Sequence, residues 1–270
     1  MALEQSFHRD GDFVVFNQYG LKLDFDNATP DAVYYDWLDE TISHAGEMVR
    51  GATIIEKDGD RTEPRHNTGV YYDTQDYRLL ASNMVLRTTS NPKTHAFCAF
   101  KMGEDREHVR RDHRHIFDGE EKTTIQRMPT SPEAEAIVKR LLSRTDIIQP
   151  GAYLKALTGI PGSELAQSLC LAQYRRTFYV LLDGRDALRC SLDRVDVSNL
   201  RLPSSDREQL HFSEVEVPIF PRITPDVAKD PRLPQLIDTI SMSLQDRFNV
   251  RIVSDSKYQR AARLVGLRVS

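Results

Sequence analysis

The sequence lacks the glycine-rich loops with which many nucleotide-binding proteins hold phosphate. No Walker or Rossmann pattern is present, and the glycines within residues 159–162 fit neither one. Cysteine is also scarce, with only three widely separated residues: Cys98, Cys170 and Cys190. This number and spacing fit neither a disulfide framework nor a zinc site, and they are typical of a reducing compartment.

An excess of basic residues is absent too. The chain has 36 Lys and Arg against 40 Asp and Glu, for a net charge of -4. Without a basic field we expect no nucleic acid partner, and any anion site must be built locally. The first ten residues contain no apolar signal core, and no run approaches the roughly 20 apolar residues that span a membrane. We therefore expect a cytoplasmic protein without a membrane partner.

The most distinctive stretch covers residues 69–87. Residues 70–74 are rich in β-branched and aromatic side chains, and two leucines follow before a second strand pattern ends at Arg87. The order predicts a strand, a turn, a short helix and another strand. Asp76 is predicted to cap the helix, and Asn83 is predicted to end it in the left-handed conformation.

Turn signals recur every 8 to 12 residues or so, which is typical of an antiparallel meander or barrel. The predicted strands cover residues 12–16, 21–26, 52–87 in two regions, 95–101, 109–117, 171–182, 188–195 and 210–220. Helices are predicted to begin near residues 29, 131, 233 and 254–256, with further helical and loop structure over 150–170. The interpretation is a single α+β domain over residues 1–270 with helices outside the sheet and a helical insertion around 131–170.

Charged residues recur on the predicted strands, with cations in the middle of the chain and acids at both ends. The cations are Arg87, Lys101, Arg111 or Arg110, Arg176 or Arg175, and Arg189. The acids are Asp24, Asp26, Asp193, Glu214 and Glu216. If a barrel brings them into one lumen, the cations surround an anion and the carboxylates hold a hard divalent cation. The alternative for each position is an ordinary solvated strand face.

Several of these segments together resemble the CYTH family, the triphosphate tunnel metalloenzymes. The resemblance covers roughly residues 20 to 265 and rests on Tyr72-Asp73-Thr74, Leu86-Arg87, Phe100-Lys101, Arg175-Arg176-Thr177, Ser191-Leu192-Asp193, Glu214-Val215-Glu216 and Ser256-Lys257-Tyr258. The segments around Arg175 and Lys257 are also similar to the polyphosphate polymerase branch of that superfamily. Where the family has Glu-x-Glu-x-Lys on its first strand, this chain has Asp24, Asp26 and Ala28.

The resemblance implies a closed antiparallel β-barrel of eight strands that binds a triphosphate or polyphosphate in its tunnel. It implies hydrolysis of inorganic triphosphate or a nucleoside triphosphate with Mg²⁺ or Mn²⁺. The expected substrate-binding residues are Lys22, Arg87, Lys101, Arg111, Arg176 and Arg189. The expected metal ligands are Asp24, Asp26, Glu214 and Glu216, and the expected catalytic residues are Asp193 and Lys257. The alternatives are a binding module without turnover and a polymerase-like transferase.

Overall fold

The computed structural model describes residues 7–10, 13–17, 20–25, 29, 31–102, 109–144, 150–220 and 223–267; its side chains are described from residue 21, except at 109–111. The strands are β1 (Phe7–Asp10), β2 (Phe13–Asn17), β3 (Gly20–Phe25), β4 (Ala52–Glu56), β5 (Arg65–Asp73), β6 (Val85–Ser90), β7 (Ala96–Lys101), β8 (Val109–Ile116), β9 (Ala166–Leu182), β10 (Arg185–Asn199), β11 (Leu210–Pro218) and β12 (Arg251–Ile252).

The helices are α1 (Asp31–Met48), α2 (Arg78–Ala81), α3 (Gly119–Arg127), α4 (Pro132–Ser143), α5 (Pro150–Thr158), α6 (Pro225–Ala228), α7 (Arg232–Arg247) and α8 (Lys257–Leu264). Ser131 caps α4 by accepting a hydrogen bond from the Ala134 amide, because its short hydroxyl reaches the otherwise unpaired first turn. Across the described ranges, no helix combines the length and apolar character needed to cross a bilayer.

One antiparallel sheet contains all the strands, in the order β1-β2-β8-β7-β6-β5-β9-β10-β11-β3-β12, with β4 paired to β9 beside β5. The antiparallel sheet with helices is therefore as predicted, but the closed barrel of eight strands is wrong. The sheet has 12 strands, and within the described ranges no hydrogen-bonded pairing joins its two ends. Part of the difference is that β9, 17 residues long, pairs with β4 along one half and with β5 along the other. The short strands β1 and β12 add to the number at the two ends of the order.

One face of the sheet carries two hydrophobic layers. Leu23, Leu192 and Val215 are fully buried against α1 and α7. Further along the sheet, a second layer with Leu86 and Phe100 packs against α3, α4 and α5. The prediction that the helix near residue 29 covers the outside of the sheet is confirmed. Burial of these apolar side chains stabilises the fold by about 25 cal/mol for each Å² of apolar surface that is removed from water.

The opposite face, here called the inner face, carries the residues that alternate with those apolar positions. Arg175, Asp193 and Glu214 lie there side by side on three neighbouring strands. At one end of the inner face, a third hydrophobic cluster joins the sheet to α8, with members that include Tyr71, Val195, Phe212, Tyr258 and Ala261. Helix α8 therefore closes that end of the inner face with apolar contacts.

Asp73 connects the distinctive stretch of the sequence to α8. Its buried carboxylate accepts hydrogen bonds from the amides of Leu79 and Leu80 at 2.9 and 3.0 Å, and from the hydroxyl of Tyr258 at 2.9 Å. The prediction that Asp76 caps this helix is therefore wrong: its carboxylate accepts from the Thr74 hydroxyl, and among the described hydrogen bonds none joins it to an amide of α2. Asp73 does the capping because it ends β5 directly beneath the first turn of α2.

The end of α2 follows the sequence prediction. Asn83 has a φ of 53°, in the left-handed region. Asparagine tolerates this conformation better than most residues do, and it allows the chain to turn from α2 into β6. The prediction for Asn83 is confirmed.

We expect Asp73→Ala to lower the free energy of unfolding by about 3 kcal/mol, because it leaves the amides of Thr74, Leu79 and Leu80 without this acceptor and removes one partner of the Tyr258 hydroxyl. Urea unfolding monitored by circular dichroism measures the change. Asp76→Ala is the matched control and should unfold close to the wild type. Equal stability of the two variants would show that Asp73 does not anchor α2 and α8.

Candidate active site

Three acidic side chains form the carboxylate cluster: Asp193, Glu214 and Glu216. Asp193 lies opposite Glu214 in the pairing of β10 with β11, and Glu216 is two residues further along on the same face. One oxygen atom from each lies within 4.8 Å of the others. The side chains of Asp193 and Glu214 are 0% exposed, and that of Glu216 is 20% exposed. So many buried carboxylates require compensating positive charge.

The ammonium group of Lys257 supplies part of that charge. Its Nζ lies 3.0 Å from Asp193 Oδ2 and donates to Glu216 Oε1 at 2.7 Å, and it also donates to Glu214 Oε1. Lys257 is the first residue of α8, directly after Ser256, which forms a capping box with Gln259. The cap fixes the start of the helix and so directs Lys257 into the cluster.

Two arginines bind the remaining carboxylate oxygens. Arg175 donates to Asp193 through Nε at 2.7 Å and through Nη2 at 2.6 Å, and Nη2 also donates to Glu216 Oε2 at 2.6 Å. Arg260, one turn after Lys257, donates to Glu214 Oε2 at 2.8 Å. Every oxygen of the carboxylate cluster therefore accepts a hydrogen bond from a cation.

The pKa values of the cluster follow from burial and from these cations. Burial raises the pKa of Asp193, but Arg175 and Lys257 outweigh it and hold the value below its usual range. For Glu216, Lys257 and Arg175 likewise outweigh burial and leave the pKa well below normal. Burial dominates at Glu214, where Glu216 and Asp193 add to it, and the pKa is raised. Lys257 stays charged because its carboxylate neighbours outweigh the effect of burial and raise its pKa.

A cavity on the inner face begins at Lys257. It is lined by Asn67, Gly69, Tyr71, Arg87, Thr89, Leu171, Gln173, Val195 and Lys257. Arg87 donates from Nη1 to the Tyr71 hydroxyl at 3.0 Å, and its buried Nε has no hydrogen-bond acceptor in the described structure. On the neighbouring strand, Lys101 lies 3.7 Å from the buried carboxylate of Asp112. Arg87 of β6 and Lys257 of α8 therefore line one cavity together with neutral polar groups.

Several of the predicted site residues are brought together on the inner face. Asp193, Glu214, Glu216 and Lys257 meet in the cluster, and Arg87 lines the adjoining cavity. Lys22 lies opposite Glu216 in the register and helps to lower its pKa.

The structure places other predicted residues elsewhere. Arg176 lies on the opposite face, where its Nη2 donates to Asp31 of α1 at 2.9 Å; Arg175, the other candidate, faces the cluster. Asp24 lies beside Glu214 but pairs with Arg260 and Arg251 rather than joining the cluster. Strand alternation explains the position of Arg176, because adjacent residues of a strand lie on opposite faces. Asp24 lies on the same face as Glu214, and its pairing with Arg260 and Arg251 holds its carboxylate outside the cluster.

Two predicted residues fall on parts of the chain that are not described. Asp26 lies outside the described residues, as does Ala28. Arg111 pairs with Val15 in the backbone register of β8 and β2, and its side chain is outside the described ones. Their predicted roles stay predictions.

The sequence analysis missed two residues of the inner face, Gln173 and Arg65, and one residue of α8, Arg260. Gln173 donates to Asp193 Oδ2 at 2.7 Å, and Arg260 contacts Glu214 and Asp24. Arg65, at the start of β5, pairs with Arg175 in the register. The period-2 pattern that includes Arg65, Asn67, Gly69 and Tyr71 could have indicated Arg65, had the strand been extended backwards from residue 69.

The carboxylate cluster has the donor set of a divalent-cation site. Three carboxylates on two neighbouring strands offer hard oxygen ligands of the kind that Mg²⁺ and Mn²⁺ prefer. The same oxygens bind Lys257, Arg175 and Arg260. The residues present therefore fit a metal ion, provided that Lys257 gives up its contacts with them.

We expect Lys257→Met to lower the free energy of unfolding in EDTA by about 3 to 5 kcal/mol, because it leaves buried carboxylates without their central cation. Added Mn²⁺ should then stabilise the variant more than the wild type, since no ammonium group competes for the oxygens. Urea unfolding with and without Mn²⁺ measures both effects. Lys139→Met removes an exposed pair with Glu135 and serves as the control. Unchanged stability in EDTA would contradict the role given to Lys257.

Comparison with known proteins bears on the fold. No protein-family description and no curated protein matches the chain. Among solved structures, it is similar to HpAC1 from Hippeastrum, a candidate adenylyl cyclase with a dominant triphosphatase activity, with a TM-score of 0.53 and 14% identity over 92% of this chain and 97% of that one. It is also similar to a candidate adenylate cyclase from Bacillus halodurans, with a TM-score of 0.50 and 12% identity over 90% of this chain and 97% of that one. The chain therefore shares the fold of these two proteins, which agrees with the fold family expected from the sequence resemblance.

Proposed function

We propose that this protein is a metal-dependent hydrolase of triphosphate substrates, which bind on the inner face of the sheet. The observation that carries the proposal is the position of Lys257. Its ammonium group touches all three members of the carboxylate cluster and also lines the cavity that contains Arg87. A metal site and a cationic phosphate site therefore adjoin at one side chain.

We assign substrate binding to the cations of the inner face. Arg87 presents a guanidinium group to the cavity, and its hydrogen bond to Tyr71 orients that group. Guanidinium groups suit phosphate because they donate two parallel hydrogen bonds to its oxygens. We include Lys22, Lys101, Arg175 and Arg189 in the substrate-binding set, with Arg175 in place of Arg176.

The carboxylate cluster is the proposed site of Mg²⁺ or Mn²⁺, with Glu214 and Glu216 as ligands. A bound divalent cation supplies Lewis-acid polarisation of a phosphoryl oxygen. The lowered pKa of Asp193 makes it a poor proton acceptor, so we assign it to ligation and orientation, held in place by Arg175. In hydrolysis, water attacks the terminal phosphorus and the bond to the bridging oxygen breaks.

Lys257 is the proposed catalytic cation. Freed from the carboxylates, its ammonium group can turn toward a phosphate in the adjoining cavity without movement of α8 as a whole, because the lysine side chain is long and flexible. There it neutralises the charge that spreads over the phosphoryl oxygens. The triphosphatase activity of HpAC1, which has a similar fold, supports the same reaction class here.

A second candidate function is polyphosphate or nucleotide binding without turnover. One observation favours it: every oxygen of the carboxylate cluster already binds Lys257, Arg175, Arg260 or Gln173. A cluster that keeps these partners holds no metal, and the remaining cations of the inner face still attract an anion. Binding of tripolyphosphate in EDTA without phosphate release under any metal condition would support this candidate.

We expect Glu216→Gln to reduce phosphate release from tripolyphosphate by at least about 100-fold, because loss of a ligating carboxylate removes several kcal/mol of transition-state stabilisation. Phosphate release with Mg²⁺ or Mn²⁺ measures the rate, and circular dichroism checks the fold. Glu208→Gln, at an exposed position, is the control. A wild-type rate in the Glu216 variant would remove Glu216 from the metal site.

A further inference from the structure

One neutral side chain, Gln173, lies where the carboxylate cluster meets the cavity of the inner face. Its amide Nε2 donates to Asp193 Oδ2 at 2.7 Å. The same oxygen accepts from Arg175 at 2.6 Å and lies 3.0 Å from the ammonium nitrogen of Lys257. Gln173 also lines the cavity, together with Lys257 and Arg87. A single glutamine therefore contacts an acid of the proposed metal site and borders the proposed phosphate site.

The contact with Asp193 fixes the orientation of the Gln173 amide. An ionised carboxylate only accepts hydrogen bonds, so the amide nitrogen faces Asp193 and the carbonyl oxygen Oε1 forms the other arm of the amide. In the described part of the chain, no donor contacts Oε1. The neighbouring side chains of Arg175 and Lys257 contain donors only. Gln173 therefore offers an oriented acceptor in a group of cationic donors.

The other polar groups that line the cavity offer no comparable acceptor beside the cluster. Asn67 lies opposite Gln173 in the register, and its Oδ1 lies 3.4 Å from the donor nitrogen of a neighbouring asparagine. The hydroxyl of Tyr71 already accepts from an arginine at 3.0 Å. The hydroxyl of Thr89 has no partner within the described residues, but Thr89 is on β6, three strands from Asp193, or about 14 Å at the usual strand spacing. Among these groups, Gln173 is the acceptor beside the cluster.

Hydrolysis of a triphosphate has a use for such an acceptor. The attacking water must turn a lone pair toward the terminal phosphorus, and a hydrogen bond from one of its protons to a fixed acceptor holds it in that orientation. Glutamine performs this task in some phosphoryl-transfer enzymes. In the proposed function, the metal binds at the cluster and the phosphates bind in the adjoining cavity, which places the terminal phosphorus beside Gln173.

We propose that Gln173 is a catalytic residue of this site and orients the attacking water through Oε1. The inference rests on the proposed function. The water oxygen forms a bond to the terminal phosphorus while the bond from that phosphorus to the bridging oxygen breaks. From tripolyphosphate the products are orthophosphate and pyrophosphate; one proton of the water stays on the orthophosphate and the other passes to the pyrophosphate. Gln173 accepts a hydrogen bond and takes up no proton, because its amide is neutral.

Gln173→Met tests this role, because methionine keeps the length of the unbranched side chain and loses the amide. We expect kcat for phosphate release from tripolyphosphate with Mn²⁺ to fall about 100-fold, since a misplaced nucleophile costs about that factor. KM, the half-saturating Mn²⁺ concentration and the Kd for tripolyphosphate in EDTA should each stay within about twofold of the wild type. A phosphate-release assay and isothermal titration calorimetry measure these quantities.

Gln209→Met is the matched control. The Gln209 amide also donates to an aspartate, Asp196 Oδ2, at 3.1 Å, but that contact is exposed, and Asp196 lies on the opposite face of β10 from Asp193. This variant should retain the wild-type rate. If Gln173→Met does not fold, Gln173→Asn keeps the amide and withdraws it by one methylene, and its kcat should fall about tenfold.

The role of Gln173 would be overturned by a wild-type kcat in the Gln173 variants. A higher half-saturating Mn²⁺ concentration would also overturn it, because Gln173 would then act through Asp193. So would weaker binding of tripolyphosphate in EDTA, which would assign Gln173 to substrate binding. In these cases phosphate release by the wild type still supports the proposed function. Absence of phosphate release from the wild type under every metal condition would refute the proposed function and the role of Gln173 together.

Discussion

The ammonium group of Lys257 among three buried carboxylates is the interaction on which the inner face depends. Without a cation at that point, Asp193, Glu214 and Glu216 would repel one another within 4.8 Å in a largely buried site. The contacts between Lys257 and the cluster hold the acids together and favour their charged forms. At the proposed metal site a divalent cation would meet the same requirement for positive charge.

The position of Lys257 depends on the contacts that attach α8 to the sheet. Asp73 accepts a hydrogen bond from the hydroxyl of Tyr258. The ring of Tyr258 stacks on that of Tyr71, with centroids 4.7 Å apart. Ser168 forms a further hydrogen bond with the same hydroxyl. These contacts attach α8 to β5 and β9, so the helix holds its first residue at the cluster while the side chain of Lys257 remains free to change partners.

Strand periodicity predicted much of the fold from the sequence. The helices α1, α4, α7 and α8 and most of the strands were expected, because apolar residues repeat at the spacing that each element requires. The number of strands was not predictable in the same way. Pairing of β9 with both β4 and β5 depends on contacts distant in the sequence, and so does the open order of the sheet.

The sequence predicted the acids of the candidate site, but it left open which of two adjacent arginines, Arg175 or Arg176, faces them. Glu214 and Glu216 share a face because they are two residues apart on one strand, and the pairing of β10 with β11 places Asp193 beside them. Arg175 and Arg176 are adjacent, and only the pairing with Asp193 shows which of them faces the cluster. The engagement of Asp73 by Tyr258 could not be predicted, because the two residues are 185 positions apart. Asp76 looked like the better cap because it is nearer to the helix in sequence.

The position of α8 in the chain has a consequence for the order of folding. Strands β10 and β11, which carry the acids, are synthesised before Lys257 and Arg260. Until α8 emerges from the ribosome, Arg175 is the cluster's only partner among the three cations that bind it. The acids must meanwhile remain hydrated, take up protons or bind a metal ion from solution. Closure of one end of the inner face by α8 is therefore a late event, and at the proposed metal site a divalent cation present during synthesis would compete with Lys257 for the same three carboxylates.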